Sequence, residues 1–210
     1  MIITLAMIKG GVAKSTLCTN LAVSLSKEGH KVKVLDLDHK NKGSFNFFVK
    51  RQKKGITGIQ CQAIYSADEL SEAMDYEGIL LIDTGAFDDD LTRAVISISD
   101  QLVVPFNPRS DKDAEAFMSF LDTLGEIETI REQAVPTHLV ATMIHPLRST
   151  KQITDDIDPI INGNILFGGI MTRRASYENS GFDGNSVFDT RDYKAQNEIM
   201  RLCEKITKEI

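Results

Sequence analysis

The sequence predicts an α/β protein, a mainly parallel sheet wrapped by helices. Three observations carry this. Short apolar runs alternate with stretches of helical periodicity along the whole chain. The runs are close to continuous, as in Gly78-Ile79-Leu80-Leu81-Ile82-Asp83, which suits strands buried on both faces. The chain has 210 residues, 42% of them hydrophobic, and a chain of this size buries roughly 70% of its unfolded surface, so a core needs neither disulfides nor metals.

Taken in order, residues 2–8 form the first strand candidate. Residues 14–28 follow as a helix, with Leu17, Cys18, Leu21, Ala22 and Leu25 on one face and Gly29 as its stop. Residues 32–37 are a second strand. Residues 39–62 are polar, basic and Gly-containing, and are expected to be the least regular part. Residues 78–83 and 101–105 are strands, and Asp88-Asp89-Asp90 between them reads as a helix N-terminus. Pro108 and Ser110 introduce a helix whose stripe is Phe117, Phe120, Leu121, Leu124 and Ile127. Residues 138–144 and 165–170 supply two more strands. Residues 192–210 close the chain as a helix with Ile199, Cys203, Ile206 and Ile210 aligned. No internal repeat or linker interrupts this order, so one domain over 1–210 is expected.

Composition narrows the function. Lys plus Arg is 24 and Asp plus Glu is 30, a formal net charge of −6, so any nucleic-acid contact must be local rather than whole-body. The three cysteines, Cys18, Cys61 and Cys203, have neither metal-site nor disulfide-framework spacing, and point to a reducing, cytoplasmic setting. No basic segment precedes an apolar run at the N-terminus, so no signal peptide is expected. No stretch is long and apolar enough for a membrane span.

The informative segment is Lys9-Gly10-Gly11-Val12-Ala13-Lys14-Ser15-Thr16, between the first strand and the first helix. Small residues there let backbone N–H groups approach phosphates, and the helix N-terminus favours anions. Lys14 would reach the β- and γ-phosphates, and Ser15 would place its hydroxyl on Mg²⁺. The common G-x-x-x-x-G-K-[ST] pattern fails twice, at Ile8 and at Ala13. Ala13 is acceptable there if its φ is negative and helix-like, and would be strained at a positive φ. Two further acidic segments close strands: Asp36-Leu37-Asp38 and Asp83, at the strand ends where open α/β sheets bind ligands. Asp36 and Asp38 alternate across the pleat. One can face Mg²⁺ and its waters, while the other orients an attacking water.

With these residues in view, the sequence resembles the ParA family of partition ATPases, within the MinD-like group of P-loop ATPases with a deviant phosphate loop. The resemblance rests on Lys9 to Thr16, on Asp36-Leu37-Asp38, on Ile82-Asp83-Thr84, and on Met171-Thr172-Arg173-Arg174 through Tyr177 with the segment Asp183 to Asp189. It implies a three-layer α-β-α P-loop NTPase fold with a mainly parallel twisted sheet, and an ATPase using ATP and Mg²⁺. It implies Lys9 as a signature lysine reaching the partner's phosphates in a homodimer, Lys14 on the phosphates, Ser15 and Asp83 at the metal, and Asp38 on the water. Asp36 is kept as a metal candidate. Gly10, Gly11, Val12, Ala13 and Thr16 complete the nucleotide loop, and Met143, Met171 and Thr172 are the adenine-side candidates by strand-end position. The family also implies nonspecific DNA binding through the C-terminal part, here Arg191, Lys194, Arg201, Lys205 and Lys208, a small centromere-binding, ParB-type partner, and a cytoplasmic, nucleoid-associated location.

Two residues depart from the family pattern: His39-Lys40 stands where Pro-Gln is usual, and Ala13 where Gly is usual. With a strand beginning at Ile2, no operator-binding extension is expected ahead of it. Three other functions compete. A MinD-like membrane-cycling regulator needs a basic amphipathic last helix, and Asp192, Glu198, Glu204 and Glu209 interrupt that charge. A dethiobiotin synthetase-like ligase has no use for Lys9. An iron–sulfur relative needs cysteines soon after Asp83, where none occurs. A nucleotide-dependent binding switch with little turnover is the remaining alternative. The basic run Lys50-Arg51-Gln52-Lys53-Lys54 is expected to be a solvated loop rather than a DNA contact, and Phe45, Phe47 and Phe48 are expected in packing.

Overall fold

The computed structural model describes residues 1–108, 111–161 and 163–208. Its elements run β1 (Ile2–Leu5), α1 (Lys14–Lys27), β2 (Val32–Asp36), α2 (Gly43–Lys53), β3 (Gln60–Ala63), α3 (Ala67–Ala73), β4 (Ile79–Asp83) and α4 (Asp90–Ser97). The second half runs β5 (Gln101–Phe106), α5 (Asp111–Arg131), β6 (Thr137–Ile144), α6 (Thr150–Ile157), β7 (Ile165–Thr172), α7 (Ala175–Asp183), a single tight turn at Val187–Asp189, and α8 (Tyr193–Thr207).

The strands form one all-parallel sheet in the order β3-β2-β4-β1-β5-β6-β7. Alternate residues feed the two faces. Ile3, Leu5, Ile79, Leu81 and Val103 join α1, α2, α7 and α8 in one core cluster. On the opposite face, Leu80 and Ile82 meet α3 and α4, while Leu102, Val104 and Phe106 meet α5 and α6. Period-2 alternation of fully apolar strands thus produces three layers, as the sequence predicts.

Residues 39–62 are more regular than expected. They contain α2 and the edge strand β3. Only one narrow face of α2 is apolar, with Phe47 and Phe48 buried edge to face at 5.1 Å, and β3 reads Gln-Cys-Gln-Ala without an apolar run. Tertiary contacts, not local pattern, order both. The basic run is not a loop: it is the last turn of α2 and its C-cap, and although Gln52, Lys53 and Lys54 are exposed, three of its cations are tied to α7 and the segment after it. Lys50 Nζ donates to the Gly181 carbonyl at 2.7 Å, and Lys54 Nζ to Asn185 Oδ1 at 2.9 Å. The buried Arg51 guanidinium pairs with Asp189 and donates to the Gly184 carbonyl at 3.0 Å. Gly184 permits this docking, because a Cβ there would lie 2.8 Å from Lys50 Cβ. Asp89 caps α4, accepting from the Thr92 N–H at 2.8 Å, as its acidic run implied. Ser110 and Ile210 lie outside the described residues.

Candidate functional site

Topology gathers the site at the carboxyl end of the central strands. β4 lies between β2 and β1, and its register sets Asp83 opposite Asp36 on one side and Leu5 on the other. The loop leaving β1 therefore turns over Asp83 before entering α1. Gly11 (φ 78°) and Ala13 (φ 72°) both take left-handed backbone. Of the two cases open for Ala13 the strained one holds: its φ is positive, and Ala13 carries the strain of a Cβ in that region. α1 starts with no side-chain cap and no acid in its first turn, which leaves its first N–H groups open to an anion.

Lys14 is buried, and its Nζ donates to the Met7 carbonyl at 3.0 Å and the Lys9 carbonyl at 2.9 Å. Burial lowers its pKa, against the pull of Asp83 and Asp38. Lys9, at the start of the loop, pairs through Nζ with Asp113 in the first turn of α5. Asp113 is a residue the sequence did not single out, because only the fold brings α5 to the loop.

The three acids divide into different environments. Asp83 is fully buried; Oδ2 accepts from the Ser44 hydroxyl at 2.7 Å, and Oδ1 has no hydrogen-bond partner among the described residues. Burial, reinforced by Asp36, pushes its pKa up to about 7, with the Ser44 and Ser15 hydroxyls opposing. Asp36 spends both oxygens on backbone. Oδ1 accepts from Asp38 N at 2.9 Å and Oδ2 from Phe45 N at 2.8 Å, anchoring the start of α2. Its pKa is also raised by burial. Asp38 lies beyond the strand, in the turn. Oδ1 accepts from the N–H groups of Lys40 (3.1 Å) and Asn41 (3.0 Å), and Oδ2 from Asn41 Nδ2 (2.9 Å). Burial opposes these bonds, yet they hold its pKa below the usual carboxylate value.

The buried, unpartnered Asp83 Oδ1 beside the Ser15 hydroxyl is an all-oxygen donor set that suits a hard divalent cation. Gly43 leaves room for it, since a Cβ there would sit 2.6 Å from Ser15 Oγ. Asp36, also a metal candidate, meets this test less well because its oxygens are committed to α2.

Met143, Met171 and Thr172 come together as expected. With Gly11, Ala13 and Thr16 of the loop they line a cavity of about 290 Å³, walled on the far side by Arg173, Arg174 and Tyr177. Met143 has φ 56° and sits at a register break between β6 and β7, which leaves its side chain half exposed. Thr172 Oγ1 donates to Glu198 Oε1 at 2.7 Å and accepts from Arg174 Nε at 2.7 Å. A larger cavity, about 930 Å³, lies between α2 and β3 and contains no residue of the phosphate loop. Of the two, the smaller cavity is the one that adjoins the phosphate loop.

His39 and Lys40 lean on aromatic rings flanking the site. His39 packs on Tyr65 at 5.3 Å between centroids, and Lys40 Nζ lies 4.2 Å from the Phe87 centroid. On α8 and its C-cap, Lys194, Arg201, Lys205 and Lys208 are exposed and spaced by seven, four and three residues, so the helix presents them as one stripe. Arg191 precedes the helix. Lys205 is partly committed, donating to the Phe167 carbonyl at 2.7 Å. Among the described residues, no helix is long and apolar enough to cross a membrane.

The fold and sequence have relatives among known proteins. A protein from Borrelia burgdorferi B31, described as a plasmid partition protein and bound to AMPPNP, superposes with a TM-score of 0.74 at 21% identity, over 100% of this chain and 99% of that one. The maintenance of carboxysome distribution protein A of Gloeobacter kilaueensis is 23% identical over 210 residues, 96% of this chain and 91% of its own length. An iron-sulfur ATP-binding protein of light-independent protochlorophyllide reductase from Bradyrhizobium is 26% identical over 175 residues, 80% of this chain but 54% of its length, so this chain spans about half of that relative. The pattern of the CobQ/CobB/MinD/ParA nucleotide binding domain matches residues 3–187. The chain therefore belongs to the CobQ/CobB/MinD/ParA nucleotide-binding family.

Proposed function

We propose that the protein is an ATP-dependent dimerising ATPase of the partition and positioning type, hydrolysing ATP to ADP and phosphate with Mg²⁺. The observation that carries this reading is the placement of the buried Lys14 ammonium and the Asp83 carboxylate at one uncapped helix N-terminus, with Lys9 opening the same loop. Lys14 exchanges two backbone carbonyls for phosphate oxygens. Ser15 and Asp83 would hold Mg²⁺, which supplies charge neutralisation on the phosphates when bound. Asp38 orients rather than deprotonates water: its low pKa makes it a weak base, while three donors fix its plane and leave acceptor capacity on Oδ2. Phosphoryl transfer needs little more than such positioning and charge.

Dimerisation through Lys9, nonspecific DNA binding by the ATP dimer along the α8 stripe, and a ParB-type partner follow from the resemblance; the stripe's spacing supports the DNA contact alone. The experiment is ATP hydrolysis with and without Mg²⁺ and DNA. Lys14→Ala should abolish nucleotide binding, while Asp38→Ala should keep affinity within about twofold and slow single turnover by roughly a hundredfold or more. A wild-type rate in Asp38→Ala moves the water-orienting role elsewhere. Hydrolysis absent under every condition, with ATP-specific dimers present, favours the binding-switch alternative. On DNA, paired reversal of Arg201 and Lys208 should weaken all sequences equally and flatten the salt dependence.

A further inference from the structure

We propose that Asp113 is a positioning residue that latches Lys9 inside its own subunit, so that Lys9 is withheld from a partner until a γ-phosphate competes for it. The proposal deepens the dimer reading above and rests on it.

The latch is built from rigid parts. Phe117 and Phe120 of α5 are buried in one cluster with Met7 and Val12, which flank the start of the loop. Asp113 is four residues before Phe117, so it shares the helix face that packs on the loop. Its side chain is 8% exposed, against 29% for Lys9. The contact therefore sits at a nearly dry carboxylate, where screening by salt is weak. In this position Lys9 is turned toward its own α5 rather than across a two-fold interface.

The latch is also wired to the nucleotide. Lys14 Nζ donates to the backbone carbonyl of Lys9 itself. When Lys14 turns to a phosphate, that bond is given up and the backbone at Lys9 is released. Release alone does not free the side chain, because the Lys9 ammonium stays paired with a carboxylate that is only 8% exposed. An anion of higher charge must take the ammonium in exchange. ADP bound in the same subunit loosens the backbone without offering that anion; ATP in both subunits does both, the subunit's own nucleotide drawing Lys14 away and the partner's γ-phosphate taking the ammonium. Nucleotide discrimination then resides partly in Asp113, outside the phosphate loop.

The test reads Lys9 directly. Amine-reactive labelling of the nucleotide-free protein, followed by mass spectrometry, should show Lys9 reacting several-fold more slowly than the exposed Lys40 and Lys194. Asp113→Asn should raise the Lys9 rate several-fold, and Asp113→Glu should restore protection. Light scattering should show Asp113→Asn dimerising with a slowly hydrolysed ATP analogue at about tenfold lower protein concentration, and dimerising detectably with ADP. Labelling of Lys9 equal to Lys40 in the wild type, a comparison that needs no variant, removes the latch. So does an Asp113→Asn protein that dimerises no more readily than wild type. If labelling responds but the wild type never dimerises with the analogue, the dimer reading itself falls and takes the latch's role with it.

Discussion

At the scale of single residues, the loop and the strand end beneath it hold two local conflicts. Ala13 holds a left-handed backbone in which a Cβ is unfavourable. Ala13→Gly should therefore stabilise the chain by about 1 kcal/mol, visible as a rise of about 3 °C in Tm. No gain in a calorimetric comparison would mean the loop is relaxed in solution. Asp83 is the second conflict. The folded chain keeps a proton on Asp83 up to about pH 7, whereas the unfolded chain has lost it above about pH 4. The folded state thus binds more protons across that window, so stability falls as pH rises through it and levels off above 7. Asp36 acts in the same direction, and Asp38 contributes nothing here because its pKa is lowered. Melting in chelator from pH 5 to 8 should show a loss of roughly 1–3 kcal/mol that Asp83→Asn largely flattens. A slope unchanged in that variant assigns it to other groups. The loop, Asp38 and Asp83 were legible in the sequence because each lies in a contiguous motif. Asp113, Ser44 and Gly43 were not, since the fold alone brings α5 and the start of α2 against the loop.

At the scale of elements, the central strands declare themselves and the periphery does not. β1, β2, β4, β5, β6 and β7 are apolar enough on at least one face to read as strands, and α1, α5 and α8 carry full apolar stripes. α2 and β3 lack both signals, and they are held instead by polar rivets between distant segments. The strongest is Arg51, buried against Asp189 and the Gly184 carbonyl. Arg51→Ala leaves Asp189 and that carbonyl short of a donor at a close-packed joint. It should destabilise the fold by about 3 kcal/mol, while Arg51→Lys recovers only part because a point ammonium cannot serve both acceptors in the same geometry. Urea titration of the two variants checks this; equal stability of Arg51→Ala and wild type would mean α7 docks without it.

At the scale of the whole molecule, the sheet order places the phosphate loop on the innermost strand, between β4 and β5, while Asp38 and the start of α2 hang from the side that ends in the short edge strand β3. The two halves of the site therefore belong to regions of unequal opening cost. Amides of β1 are locked by neighbours on both flanks and should exchange with deuterium only on global unfolding, whereas those of β3 and α2 should exchange through cheaper local openings. A nucleotide with its cation would bridge the slow and the fast regions at Ser15, Asp83 and the turn holding Asp38. Its binding should then slow exchange far more in residues 38–63 than in β1, a contrast measurable peptide by peptide. Ligand occupancy would in this way be recorded as a stiffening of the sheet margin some distance from the phosphates, on the flank where the larger cavity opens.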